Sequence, residues 1–187
     1  EDALAEQSLL YDEGTELWQN VWVQDDVSSV LTFPTNKSVI CDSVESCHHG
    51  NDMPGVHAEG AIDNGRTTQS IWVKGAGYTL VGLVTSDDEK NALCRHAGAD
   101  WSKMPLMTNV FSAHSDESKG DVFTIEVDMM ERRAVLYVSG KDSSRRLEPE
   151  KVWENLPDKV WVAVAFKRNS GREAVLMPCI HWNMRKA

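Results

Sequence analysis

The segment 120–138 constrains the fold of this chain more than any other, because it holds two apolar runs with strand periodicity. Every second residue from Phe123 to Val127 is apolar and the residues between are polar. This period-two pattern is typical of a strand with one buried face. A charged break at 131–133 separates this run from a second one at 135–138. Two such runs around a short polar connection predict an antiparallel hairpin.

Further short apolar runs, separated by turn residues, fill most of the chain. Residues 78–84 are almost continuously apolar, which predicts a central strand buried on both faces, and residues 160–166 predict a second central strand. An Asn-Gly dipeptide at 64–65 lies between strand-like segments at 57–62 and 70–74, which predicts another hairpin. Short strands with frequent turns and little helix predict an all-β sandwich or barrel.

The N-terminal segment differs from the rest. Leucines stand among acidic residues there, and the acids near the start favour a short helix over about residues 2–11. We therefore divide the chain into a helical or linker segment at 1–20 and one β-sandwich domain at 21–187, since 187 residues suit a single domain. Because the chain begins at Glu1 rather than Met, we expect a processed protein or a fragment of a larger one.

Composition narrows the classes of partner. The formal net charge of −10 disfavours nucleic acid and anionic membranes, because phosphate binding needs a basic surface. No run approaches the roughly 20 apolar residues of a membrane span. Four cysteines in a domain of this size do not form a disulfide scaffold, so we expect reduced thiols and a cytoplasmic or nuclear location. Cys179 lies in an alternating run and is expected to be a small buried hydrophobic residue.

The order of several segments resembles a SPRY (B30.2-like) domain. Gly120-Asp121-Val122 opens the hairpin where that family has a "GDV" motif, and Ser139-Gly140-Lys141 stands where "NGK" closes it. Residues 79–84 and 156–164 are similar to the family's "VGV" and "YPAV" strands. The resemblance implies a bent, antiparallel, two-sheet sandwich of the concanavalin A-like jelly-roll type, with loops at one end forming the binding surface.

The same resemblance implies a function in recognition. Such domains bind a peptide or a loop of a partner protein, often as adaptors or as the substrate-recognition part of ubiquitin ligases. We therefore expect a protein or peptide partner, a monomeric domain, no cofactor and no enzymatic activity.

Candidate binding residues come from the irregular parts of the sequence. Residues 85–119 are predicted to form the largest loop region, and the turn after residue 166 is expected to approach it by the family's loop order. Long loops in β domains often carry recognition, and Arg and Trp often anchor interfaces. The predicted partner-binding residues are Arg95, His96, Trp101, Asn109, His114, Arg168 and Asn169.

Other chemistries have weaker sequence support. Cys41, Cys47, His48, His49 and His57 are zinc-type residues, but their spacing fits a tetrahedral site poorly, so no metal site is predicted. Acidic loop residues leave a calcium-dependent, carbohydrate-binding lectin domain as the alternative function.

A glycoside hydrolase is a third possibility. Glu126 and Asp128 share one strand face two residues apart, as paired catalytic carboxylates could. The same spacing is expected of the solvent face of a hairpin, so we predict no catalytic residues.

Overall fold

The computed structural model describes residues 15–25, 27, 30–41, 54–75, 77–94, 104–112, 120–140, 149–166 and 172–183. Twelve strands and one helix lie in these ranges. The strands are β1 (Thr15–Trp18), β2 (Leu31–Thr35), β3 (Ser38–Cys41), β4 (Gly55–His57), β5 (Arg66–Lys74), β6 (Gly77–Val84), β7 (Met107–Ser112), β8 (Gly120–Asp128), β9 (Arg133–Gly140), β10 (Lys151–Glu154), β11 (Trp161–Phe166) and β12 (Arg172–Trp182). The helix is α1 (Asp87–Cys94).

The strands form two antiparallel sheets. The large sheet has eight strands in the order β10-β9-β8-β5-β12-β3-β2, with β1 paired to the C-terminal half of β12. The small sheet has four strands in the order β4-β11-β6-β7. The predicted all-β, two-sheet antiparallel sandwich is therefore confirmed.

The predicted hairpin is β8 and β9. Along β8 the buried residues alternate with partly exposed ones, and Ile125 lies opposite Leu136 in the register. The turn after β8 is fixed by Asp128, whose Oδ1 accepts hydrogen bonds from the amides of Met130 and Glu131 at 2.9 and 3.1 Å. Sequence periodicity thus predicted this element correctly because one face of each strand packs on the core.

The main core lies between the two sheets. Phe123 and Ile125 of β8 contribute from the large sheet, and Val162 and Val164 of β11 contribute from the small one, all fully buried. Trp22 and Trp153 are also buried in this core.

A second, smaller core lies on the outer face of the small sheet, the face that points away from the large sheet. Helix α1 packs there through Leu93, and Gly55 and Ala165 make room for it. A Cβ atom at Gly55 would lie 2.5 Å from Leu93 Cδ1, so only glycine lets the helix approach this closely. On this face Leu93 of α1 and Met104 pack with apolar residues of β6 and β11, while the main core covers both strands from inside. Both strands are therefore buried on two faces, as the continuous apolar run predicted for β6.

The expectation of a short N-terminal helix is wrong for the part of that segment that the structure describes. Residues 15–18 form β1 instead of a helix or linker, and the helix of the described chain is α1. The predicted helix at 2–11 itself lies outside the described residues. Residues 15–18 belong to the predicted helical or linker segment, but pairing with β12 makes them a strand.

Two other predictions are corrected by the sheets. Part of the expected loop region 85–119 is regular, since it contains α1 and β7. The Asn-Gly dipeptide at 64–65 does not close a hairpin: it connects β4 of the small sheet with β5 of the large one. Gly65 has φ +64°, and a Cβ there would collide with the Trp182 carbonyl oxygen, so this position needs glycine for the crossing.

Candidate functional site

Of the predicted binding residues, Asn109 lies in the described part of the chain. It is an exposed residue in the middle of β7, not in a loop. Arg95, His96, Trp101, His114, Arg168 and Asn169 lie outside the described residues, and their role stays a prediction.

The strand register shows where the segments with these residues attach to the sandwich. Val84 pairs with Trp161, and Gly82 with Met107, so β6 leads into α1 from this end of the small sheet and β7 begins at it. The C-terminal turn of α1 lies over Gly55 and Ala165 through Leu93, and residues 95–103 connect it to Met104. Ser112 and Phe166 lie at the opposite end, where the chain continues into residues 113–119 and 167–171. Thus residues 113–119 and 167–171 continue from one end of this sheet, whereas Trp101 is three residues before Met104, which leads into β7 at the other end.

Asn109 has two exposed aromatic neighbours, which sequence reasoning did not select. Tyr78 of β6 and Phe111 of β7 are cross-strand partners, and their ring centroids lie 5.0 Å apart. Their residues are 40% and 57% exposed. With Asn109 they form one patch on the outer face of the small sheet, which we call the β7 surface. Partly exposed aromatic side chains that adjoin one another are frequent at binding surfaces.

The other half of the outer face is closed by α1 and its contacts. Lys90 of α1 places its Nζ 3.3 Å from the centroid of the Trp161 ring and 3.2 Å from Asp87 Oδ1. His57 on β4 lies at the same side of the sheet, with Nδ1 2.9 Å from the Ala58 carbonyl oxygen. Burial lowers the pKa of His57, and the Lys90 charge lowers it further. The β7 surface is therefore what α1 leaves open on this face.

A buried arginine stabilises the end of the sandwich nearest Tyr78. Arg172, the first residue of β12, donates from Nη1 to Thr79 Oγ1 of β6 and from Nη2 to the Gly75 carbonyl oxygen at 3.2 Å. Burial lowers the pKa of its guanidinium to about 10, which the charge of Asp121 partly opposes. This side chain connects the two sheets beside the β7 surface and fixes their relative position there.

A polar cavity of about 330 Å³ lies on the outer face of the large sheet. Arg66, Glu126, Asp128, Glu131 and Arg133 are among its lining residues. Asp128 Oδ2 accepts from Arg66 Nε at 2.8 Å while Oδ1 accepts the two turn amides. The carboxylates of the glycosidase hypothesis therefore lie on the solvent face of the hairpin, and Asp128 stabilises the turn.

The zinc-type residues that the structure describes are not neighbours. Cys41 is buried in the main core from β3, whereas His57 is on the outer face of the small sheet. Cys47, His48 and His49 lie outside the described residues. Within the described ranges no group of three or more His, Cys, Asp or Glu side chains could hold a metal ion.

Comparisons with solved structures decide the fold. The SPRY domain of human HERC1 superposes on 89% of this chain, and on 99% of its own length, with a TM-score of 0.50 and 13% identity. The TRIM65 PSpry domain matches 95% of this chain and 99% of its own length at a TM-score of 0.58 and 10% identity. The chain has a SPRY-like fold.

The SPRY-like sandwich also occurs within a longer chain, since stonustoxin matches 86% of this chain over 27% of its own length, with a TM-score of 0.58 and 12% identity. No protein-family model matches the sequence, and no curated protein does. Helix α1, the helix of the described chain, is too short and too polar to cross a membrane.

Proposed function

We propose that this SPRY-like domain is a protein-recognition module that binds a peptide or a loop of a partner protein at the β7 surface. It would act within an adaptor or a ubiquitin-ligase-type protein, in the cytoplasm or nucleus, as a monomer without catalysis. The observation that carries the proposal is the exposed pair Tyr78 and Phe111, which flanks the predicted binding residue Asn109.

The physical argument for this surface is the cost of exposed aromatic rings. Burying a large apolar side chain against a partner is worth roughly 1.5–3 kcal/mol, which makes such residues frequent anchors of interfaces. Because the two rings lie on paired strands of the sandwich and contact each other, their positions are restricted before binding. Little conformational entropy is then lost when a partner covers them.

Capture of partners from the source cell tests this proposal. The wild-type chain, Phe111→Ala and Ile180→Ala are each used as bait, and bound proteins are quantified by mass spectrometry. Ile180 is the matched control, because it is 46% exposed on the outer face of the large sheet. We expect a protein that is enriched by the wild type and by Ile180→Ala but lost with Phe111→Ala. Equal recovery with all three baits would refute the β7 surface as the binding site.

The carbohydrate-binding alternative from the sequence uses the same sandwich. A glycan array probed with and without calcium separates the two functions, since a lectin would retain a defined glycan and a protein-recognition module would not.

A further inference from the structure

The edges of the two sheets differ in how they are protected against pairing with another strand. An edge strand exposes a row of unpaired N–H and C=O groups, and proteins protect it with charges, proline, bulges or short length. Edge strand β10 has exposed Lys151 and Glu154, β2 contains Pro34 and a register shift, and β4 has three residues. Strand β1 has four residues, one of which is Glu16.

Strand β7 has none of these features. It has six residues, Met-Thr-Asn-Val-Phe-Ser, with no charge and no proline, and its register with β6 is uninterrupted. No described strand lies on its other side. Among the described edges, β7 is the one suited to accept a further strand.

The register shows which backbone groups of β7 point outward. Leu83 N–H donates to the Leu106 carbonyl oxygen at 2.9 Å, so this pair is hydrogen-bonded across the ladder. Directly opposed residues of an antiparallel pair alternate between bonded and non-bonded pairs. The backbone N–H and C=O groups of Thr108 and Val110 therefore point toward β6, whereas those of Asn109 and Phe111 point away from it.

The same two residues also form the β7 surface. Asn109 and Phe111 place their side chains on the outer face beside Tyr78, while their backbone groups face the open edge. A strand added there would gain backbone hydrogen bonds and would pack an apolar side chain against the two rings.

The charge of this chain distinguishes between the molecules that could pair with the edge of β7. A second copy of this chain would bring another net charge of −10, and like charges oppose association. A peptide with basic residues beside its apolar one has the complementary charge.

From this geometry we propose that β7 binds an extended peptide segment of the partner protein, with basic residues beside an apolar one, by strand addition through the backbones of Asn109 and Phe111. This inference rests on the proposed function and specifies how the β7 surface binds.

A pair of substitutions at one position tests it. Asn109→Ala removes the amide side chain and keeps the outward N–H, whereas Asn109→Pro also removes that N–H without removing a bond to β6. Proline is tolerated in an edge strand where its nitrogen faces solvent. The probe is a random 12-residue peptide library displayed on phage and selected on the full chain, from which the enriched peptide is synthesised.

The expected result is that Asn109→Pro binds the peptide about tenfold more weakly than Asn109→Ala does, the effect of one lost hydrogen bond. Equal affinities of the two variants, with binding lost in Phe111→Ala, would overturn strand addition and leave the proposed function intact. Unchanged peptide binding by Phe111→Ala would overturn both strand addition and the proposed function of the β7 surface. Failure to enrich any peptide would overturn strand addition alone, because the capture experiment can still recover a folded partner.

Amide hydrogen exchange on the wild type gives an answer even if Asn109→Pro does not fold. In the free chain the amides of Asn109 and Phe111 should exchange faster than those of Thr108 and Val110. Binding of the peptide should slow the exchange of the Asn109 and Phe111 amides. Slow exchange at Asn109 and Phe111 in the free chain would mean that the edge is already paired, which would overturn the proposal. Absence of slowing by the bound peptide would do the same.

Discussion

The ring of Phe111 lies 5.0 Å from the ring of Tyr78, at an interplanar angle of 54°, across neighbouring strands of the small sheet. Tilted rings at this distance attract each other, so their contact favours this arrangement of the two side chains. Helix α1 covers the other half of the same face and leaves the two rings exposed. The described part of the fold thus presents an aromatic surface beside a strand edge that pairs with no described strand.

The positions at which β7 and β11 begin and end predict that Arg168 and Trp101 contribute unequally to partner binding. Arg168 follows β11 at the end of the small sheet nearest Tyr78 and Phe111, whereas Trp101 is three residues before Met104, which leads into β7 at the far end. We expect Arg168→Ala to weaken partner binding at least about fivefold and Trp101→Ala to change it less. Titration calorimetry with the captured partner measures both, and a larger loss for Trp101→Ala would place the partner at the other end.

The contact of Leu93 with Gly55 predicts a coupled pair of substitutions. Gly55→Ala should destabilise the fold by about 1–3 kcal/mol, since its methyl group has no space beneath the helix. Leu93→Ala should cost about 2–5 kcal/mol through the cavity that it leaves. The double variant should lose less than the sum, because each change relieves the other. Urea unfolding measures all three, and strictly additive losses would contradict this packing of α1.

His57 predicts an acid-sensitive contribution to stability. Its folded-state pKa is lowered from 6.5 by burial and by Lys90, so the unfolded imidazole takes up a proton at a pH where the folded one does not. Stability should therefore fall as pH decreases below about 6.5, down to the folded-state pKa. Comparing the free energy of unfolding at pH 5 and pH 7.5 in the wild type and His57→Gln measures this, and the variant should show the smaller decrease. An equal decrease in both would contradict it.

Cys179 should be unreactive in the folded protein. Burial raises the pKa of its thiol to about 12, and the thiolate is the reactive form. At pH 8, iodoacetamide should modify this residue only after denaturation, as peptide mapping by mass spectrometry would show. Rapid modification of the folded chain would contradict its burial in β12. Because the unfolded thiol ionises near pH 9, stability should also fall as pH rises from about 9 to 12.

Sequence periodicity predicted the strands whose faces are uniformly buried. The β8–β9 hairpin and the continuous runs of β6 and β11 were clear because nearly every inward residue is apolar. The order of these segments was enough to suggest the SPRY-like fold.

The elements that depend on distant contacts were not predictable in the same way. In β7, Val110 is the buried apolar residue, so no alternating run stands out there. The Asn-Gly dipeptide at 64–65 has the local chemistry of a hairpin turn, but the Gly65 carbonyl oxygen accepts from Met129 N–H and its neighbours belong to different sheets. Tyr78 and Phe111 become a pair only through the β6–β7 register, which no local pattern contains.

The most direct test of the β7 surface is a photo-crosslink from position 111. Phe111 is replaced by p-benzoylphenylalanine in one variant and Ile180 in another, and each is irradiated with the captured partner. We predict an abundant crosslink to a single short segment of the partner from position 111 and none from position 180. Crosslinking from position 180 alone would contradict the account, because it would place the partner on the outer face of the large sheet.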